Sequence, residues 1–449
     1  MKRRVLGVFL LCLWAVAGSA WATICDMGVQ PSATLLLPYF EVDLGSSTGQ
    51  TTLFSINNAS ATAALAHVVV WTDLSVPVLD FNIYLTGYDV QTINLRDILV
   101  DGKLPQTASD GQDPHDTISP QGLLSQDVTF ASCNGLLPPP PLPADFIAHL
   151  QASLTGQASD ILGGCAGLLH GDGIARGYIT VDTVNNCTLR FPADPGYFIS
   201  GGLGDATNQN ILWGDYFYVN QGQNFASGNT LVHIEASPGA GTSAFNTYPA
   251  PGSPETTVDG QYTFYGRYVN WTAADNREPL ATNFATRFIT GGTFSGGTSV
   301  IAWRDSKIVQ NSFPCHNLPL WFPLGEEGVV IFDEQEHPQV AQTFPVSPQP
   351  PEEGLIPFPA EAQRTVVGGE DLPVPYDFGW LYLNLNTTVG VPPANVSPPE
   401  DPAAAQAWVT TEMDANGRFS VGFEAVRLDS ACSALHFVPS PSLVPPPGR

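Results

Sequence analysis

Punctuation is what most limits the folds open to this chain. Its 449 residues include 43 Gly and 40 Pro, and between them apolar positions alternate with polar ones in short runs. Alternation with period two places successive side chains on opposite faces of a strand. Gly and Pro end such elements. Many short runs bounded by turn residues predict an all-β sandwich or barrel. The stretch TTLFSINNASATAALAHVVVWTDLS, residues 51–75, shows the pattern. Thr52, Phe54 and Ile56 share one face. Asn57-Asn58-Ala59-Ser60 carries turn chemistry, because Asn tolerates left-handed backbone and Ser bonds locally. Leu65, His67, Val69 and Trp71 then share a face, with Val68 and Val70 on the other. The stretch reads as a hairpin, and His67 as a hydrogen-bonded core histidine. Pro-rich segments and the PSPSLVPPPGR end do not suit a closed lipid-facing barrel.

Residues 1–22, MKRRVLGVFLLCLWAVAGSAWA, have a basic head, an apolar run and a small-x-small ending. They predict a secretory signal peptide. No later run is long and apolar enough for a membrane helix, so the mature chain is expected not to insert into a membrane. Signal removal leaves 13 of the 16 basic residues against 42 acidic ones. A surface so acidic repels nucleic acid, which is set aside as a partner. The expected location is periplasmic, cell-surface or extracellular. Cys12 leaves with the signal, and Cys25, Cys133, Cys165, Cys187, Cys315 and Cys432 remain. An even number in an exported chain predicts disulfides. Without a C-x-x-C pair, a zinc ribbon or redox motif is not expected.

Similar segments recur along the chain. ATRFITGGTFSGGTSVIAWRD (285–305) follows the plan of the stretch above and ends in Trp303-Arg304-Asp305, where the first ends in Trp71-Thr72-Asp73. GYITVDT (177–183) echoes GWLYLNL (379–385), and residues 213–236 echo 407–429. ATLLLPYFEVD (33–43) is matched with QYTFYGRYVNW (261–271). These correspondences predict an internal duplication. The first β-domain covers 23–240, the second 241–438, and 439–449 form a disordered Pro-rich tail. The first carries an insertion over about 100–165 with one helix near 144–156, where Phe146, Ile147, Leu150 and Leu154 share a face. The second carries a Pro-rich loop over about 337–375. Cysteine parity suits pairing within each copy. A Cys315–Cys432 bridge would contribute about 4–5 kcal/mol in the chain-entropy model. A bridge joining the two copies would argue against independent modules.

LLPYF (36–40), TTLFSINNAS (51–60) and AHVVVWTD (66–73) resemble a pattern in uncharacterised exported bacterial proteins. There a Pro-aromatic strand precedes T-x-L-x-L-x-N-x-S and an apolar strand ending near an Asp. The resemblance covers a small part of the chain. It implies two tandem immunoglobulin-like β-sandwich domains and export, and it brings no catalytic residues.

Each cluster with chemical potential has a plainer reading beside it. Asp110, Asp113 and Asp116 lie in a Gly/Pro-containing loop beside His115, and oxygen ligands on such a loop suit calcium. The spacing is not that of an EF-hand, and solvated turn acids are the commoner outcome. Calcium is the one cofactor the residues suggest. Asp333, Glu334 and Glu336 with His337 form a second acidic group; paired carboxylates serve glycoside hydrolysis, but a solvated strand end is the simpler account. Asp414-Ala415-Asn416-Gly417 reads as a hairpin turn. Trp213, Tyr216 and Tyr218 are the densest aromatic set for stacking on sugars, although half of an alternating set faces the core. No G-x-S-x-G elbow is present. The leading expectation is a non-catalytic exported envelope, matrix or adhesion component whose partners are glycans or envelope proteins. A carbohydrate-binding protein and a carboxylate-dependent hydrolase are the alternatives.

Overall fold

The computed structural model describes residues 30–106, 130–236, 263–270 and 272–428, the last span interrupted at 273, 292–295, 306–308, 310, 316, 318–327, 336, 341–356 and 386–405. In the first half the strands are β1 (Thr34–Asp43), β2 (Gln50–Asn58), β3 (Ala64–Thr72), β4 (Pro77–Leu85), β5 (Val90–Asn94), β6 (Ile174–Val184), β7 (Leu212–Trp213), β8 (Asp215–Asn220), β9 (Phe225–Thr230) and β10 (Val232–Ile234). Helices α1 (Leu95–Leu99) and α2 (Ala144–Leu154) fall between β5 and β6. The second half holds β11 (Asn283–Ile289), β12 (Gly297–Arg304), β13 (Gly328–Phe332), β14 (Pro338–Val340), β15 (Ala362–Val366), β16 (Phe378–Asn384), β17 (Ala407–Asp414), β18 (Ser420–Glu424) and β19 (Val426–Arg427). The chain is mostly antiparallel sheet, as the alternation predicts.

Four sheets form. Sheet I runs β5-β2-β8-β9, with β7 also on β2, and sheet II runs β10-β1-β6-β3-β4. Sheet III runs β15-β12-β17-β18, and sheet IV runs β19-β11-β16-β13-β14. Sheets III and IV thus repeat the strand orders of sheets I and II, position for position. The match reaches side-chain detail. The Thr52 hydroxyl accepts from Glu41 N and donates to Glu41 O at 3.1 and 3.0 Å. Thr298 brackets Ile289 in the same way at 2.9 and 2.8 Å. Gly177 and Gly379 are equivalent too: a Cβ would meet Trp71 O at 2.0 Å in one and Phe332 O at 1.9 Å in the other. Only glycine lets the neighbouring backbone approach so closely.

This topology corrects the expected hairpin. β2 and β3 do not pair; β2 bonds to β5, β7 and β8, whereas β3 bonds to β4 and β6. The turn between them is an arch from one sheet to the other. Asn58 closes it by donating Nδ2–H to Thr62 O and Thr86 O at 2.7 and 2.9 Å. The matching of segments shifts accordingly. β3 corresponds to β13, not β12, so Trp71 is equivalent to Phe332 and not to Trp303. β1 corresponds to β11, not to residues 261–271. The GYITVDT/GWLYLNL match and the match of β8–β9 with β17–β18 agree with the topology. β17 and β18 pair across a turn in which Asn416 and Gly417 have φ of 50° and 73°, as the hairpin reading requires.

Pro38 interrupts β1 where it lacks a donor, and the ladder to β6 slips there, between Leu37 and Phe40. Helix α2 starts at Ala144 and buries His149, Leu150, Ser153 and Leu154. Phe146 and Ile147 are only half-buried. Helix α1, capped by the Asn94 side chain accepting from Arg96 N, has no counterpart in the sequence reading.

The largest apolar core spans both halves, and a second lies within the second half. Val68 and Val70 of sheet II pack with Phe54 and Ile56 of sheet I, and the same cluster takes in Ile301, Trp303 and Trp408 of sheet III. The other face of sheet III, with Val300, Ala302 and Val409, packs on Leu381, Leu383 and Phe284 of sheet IV. Each fully buried Val, Leu, Ile or Phe side chain among these contributes about 1.5–3 kcal/mol. The edge strands β9 and β18 cover each other: Ser420 Oγ bonds to Ala226 O, and Asn224 Nδ2 donates to Gly417 O at 2.6 Å. Cys133 pairs with Cys187, and Cys165 pairs with Cys315. The second bridge joins the halves and rules out Cys315–Cys432, so pairing confined to each copy does not hold. Cys25 and Cys432, residues 1–22 and the tail 439–449 lie outside the described residues.

Candidate functional site

The sequence-stated aromatics divide between core and surface. Tyr216 and Tyr218 are 2 % and 1 % exposed, whereas Trp213 is 41 % exposed. Tyr218 donates its hydroxyl to Tyr39 O at 2.8 Å. Burial raises the hydroxyl pKa of both tyrosines. Neither ring is open for stacking on a ligand, and of the three only Trp213 stands on the outer face of sheet I. Asp110, Asp113 and Asp116 lie outside the described residues, and among the described residues no group of three metal-ligating side chains converges.

His67 is fully buried and meets Asn82 Oδ1 at 3.2 Å through Nδ1. It is the core histidine that its strand face predicts.

Among the described residues, three ionic clusters that the sequence did not announce lie between the halves. Arg267 reaches Asp305 at 3.0 Å and Glu361 at 2.9 Å, and it donates to Ser75 Oγ at 3.1 Å. Arg277 donates to Thr34 Oγ1 and Thr207 O, both at 2.9 Å, and lies 3.6 Å from Asp182. Asp182 also accepts from Tyr197 and Tyr265 at 2.8 and 2.9 Å. Arg364 lies 3.2 Å from Glu41 and bonds to Glu412. Ser75 has a left-handed φ of 59° and bonds to Glu361. A strained serine beside a carboxylate has the form of an activated nucleophile. It is fully buried, however. The adjoining cavity, lined by Trp71, Tyr178, Arg267 and Trp303, has about 10 Å³, room for one water and no substrate. These clusters join the halves.

A larger groove of about 760 Å³ opens on the second half. Its floor is the outer face of sheet IV, where Trp380 of β16 stands opposite Arg287 of β11 and Phe332 of β13. The Phe332 and Trp380 rings are stacked, 4.0 Å between centroids and 6° from parallel. Phe378, Phe423 and Val426 add apolar surface, and Asp333, Glu334 and Glu424 bring carboxylates. Phe378 and Val426 are 48 % and 62 % exposed. The groove exists because the chain leaves sheet III at Ala425, whose N–H donates to Val409 O at 3.0 Å, and joins sheet IV only beside Phe284 and Ala285. Leu428 N bonds to Asn283 O, and Thr298 occupies the backbone of Ile289. Alternation along an antiparallel strand then turns the backbone groups of Arg287 the same way, into the gap between them.

The second acidic group takes part in this site. Asp333 accepts from Gln335 N, His337 N and His337 Nδ1 at 2.8–2.9 Å. These bonds, that from the His337 backbone foremost, hold its carboxyl below the usual range. Glu334 faces the groove, and Glu336 lies outside the described residues. Arg287, Phe378, Trp380 and Phe423 escaped the sequence reading. The available signal was the alignment of VVVWTD (68–73) with VVIFDE (329–334) beside that of GYITV with GWLYL, which brings two aromatic residues together.

No family model, curated protein or solved structure matches this chain. Its geometry therefore carries the functional argument alone.

Proposed function

We propose that this is an exported, non-catalytic component of a cell envelope or extracellular matrix, built of tandem immunoglobulin-like sandwiches and working through the sheet IV groove. The observation that carries this reading is the composition of the groove. Trp380, stacked on Phe332, together with three further apolar side chains and one arginine offers a rigid surface for adhesion. Aromatic and arginine anchors dominate binding surfaces of this kind. The paired cysteines fit an oxidising compartment, and among the described residues no helix is long and apolar enough to cross a membrane. In a sedimentation assay, the mature protein is expected to be retained by an envelope fraction. Trp380→Ala should weaken that retention about tenfold or more. Equal retention of the two proteins, or none of either, counts against the reading.

A saccharide ligand is the second reading. Trp380 and Phe378 beside Glu334 and Glu424 favour it, because sugar rings stack on aromatic faces while their hydroxyls bond to carboxylates. A glycan array tests it; silence across a broad panel removes it.

A further inference from the structure

The repeat of sheet order has a consequence for the two open faces of the molecule. Inside the chain, the outer face of sheet II is covered. Its cross-strand pair Trp71–Tyr178 is stacked at 5.7 Å and 5°. Tyr268 lies 5.4 Å from Trp71, and Trp303 lies 5.9 Å from Tyr178. Trp303 stands opposite Trp408 on the outer face of sheet III. The internal joint is therefore an aromatic stack on sheet II received by the outer face of sheet III.

Both parts of this joint have an equivalent elsewhere. Phe332–Trp380 is the register equivalent of Trp71–Tyr178, since β3 and β6 correspond to β13 and β16. Its Trp380 lines the open groove of sheet IV. The Thr52/Thr298 match sets β2 against β12, and it places Asn57 at the position of Trp303. Asn57 pairs with Trp213, so Trp213 occupies the position of Trp408. Trp408 is 6 % exposed in the internal joint, but Trp213 is 41 % exposed, with Phe217 beside it at 46 %. One end of the molecule thus presents the receiving face of the joint, and the other end presents the received face.

We propose that copies of this protein associate head to tail, the outer face of sheet I on one copy receiving the groove face of sheet IV on the next. The arrangement is the one that sheets II and III make within each chain. It rests on the matrix reading above and names a second copy as the occupant of the groove. The two surfaces differ, so the contact is heterologous and grows into an open chain unless rotation closes a ring. A net charge of −26 on each full chain opposes growth, and salt screens that repulsion. Association should therefore strengthen from low to physiological salt.

Sedimentation of the mature protein over micromolar to millimolar concentration tests the proposal, with Arg287→Glu blocking the groove and Trp213→Glu blocking sheet I. Both positions are exposed, and circular dichroism of each variant checks its fold. The average mass of the wild type should rise without stopping at a dimer. Each variant alone should stay monomeric, and an equimolar mixture of the two should form dimers and stop there. A wild type that stays monomeric throughout, a plateau at the dimer, or a mixture without dimers would overturn the proposal. The envelope-retention assay is separate. Retention without self-association sinks only this inference, and self-association without retention sinks only the reading on which it rests.

Discussion

Asp275 is fully buried and accepts from Thr263 Oγ1 at 2.5 Å and Tyr265 N at 2.9 Å. Burial pushes its carboxyl up to about 6, against roughly 3.9 for a free Asp. Between those values the folded chain holds a proton that the unfolded chain has lost, so stability falls as pH rises through the window. The shift corresponds to about 3 kcal/mol. Urea unfolding of Asp275→Asn beside the wild type, at pH 4 and pH 6.5, should show the wild type losing more stability by roughly that amount. Parallel losses would refute the assignment. His149 acts with the opposite sign: burial lowers its pKa, and its contribution is lost as pH falls below the free histidine range of about 6.5. Each variant is therefore compared with the wild type and not with a pH-independent baseline. Arg364 gives a second test. Arg364→Met leaves Glu412 in a low-dielectric site without the Arg364 cation and Glu41 with only Arg176 at 3.8 Å, which costs about 3 kcal/mol at neutral pH. Adding Glu412→Gln to Arg364→Met should recover part of that loss, and a double variant no more stable than Arg364→Met would exclude the charge argument.

At the scale of elements, the two bridges differ in the loops they close. Cys133–Cys187 spans 54 residues and Cys165–Cys315 spans 150. The chain-entropy model assigns them about 4 and about 5 kcal/mol as upper values. Replacing Cys165 and Cys315 by Ala should lower the urea midpoint more than replacing Cys133 and Cys187, since it also loosens the joint between the halves. The reverse order would show that local packing decides. The elements themselves were largely readable: alternation predicts the strands, and Phe146 to Leu154 predicts helix α2. Pairing was not readable. A period of two is identical for strands joined by a hairpin and for strands joined by an arch between sheets, so β2–β3 looks like a hairpin in sequence. The same ambiguity moved the repeat by one strand and matched Trp71 with Trp303. The two tryptophans meet one aromatic cluster from opposite sides of the joint. Side-chain orientation has the same limit. Alternation says that Tyr216 and Tyr218 share a face and Phe217 takes the other, but not which face is buried. The groove was half legible: Asp333 and Glu334 stood out as charges, while Arg287 and Trp380 gain meaning only once β11, β13 and β16 lie side by side.

For the whole molecule, the decisive fact is that sheet II is covered on both faces. One face meets sheet I. The other meets sheet III and residues 264–268, with the Arg267 and Arg277 clusters set into the joint. A half-molecule ending near residue 236 would expose Trp71 and Tyr178 and leave Asp182 without Arg277. The core between sheets III and IV lies within the second half, but the outer face of sheet II is covered only across the joint, so loss of one half removes buried apolar area and ion-pair partners from the other. Cooperative unfolding of the two halves follows, although the chain is long enough for two separate transitions. Calorimetry of the oxidised mature protein should give a single transition, with calorimetric and van't Hoff enthalpies in agreement. A fragment of residues 23–240 should bind a hydrophobic dye that the full chain excludes, because its sheet II is uncovered. Two resolved transitions in the full chain, or a fragment that melts sharply without binding dye, would mean that the joint adds little and that each half is stable alone.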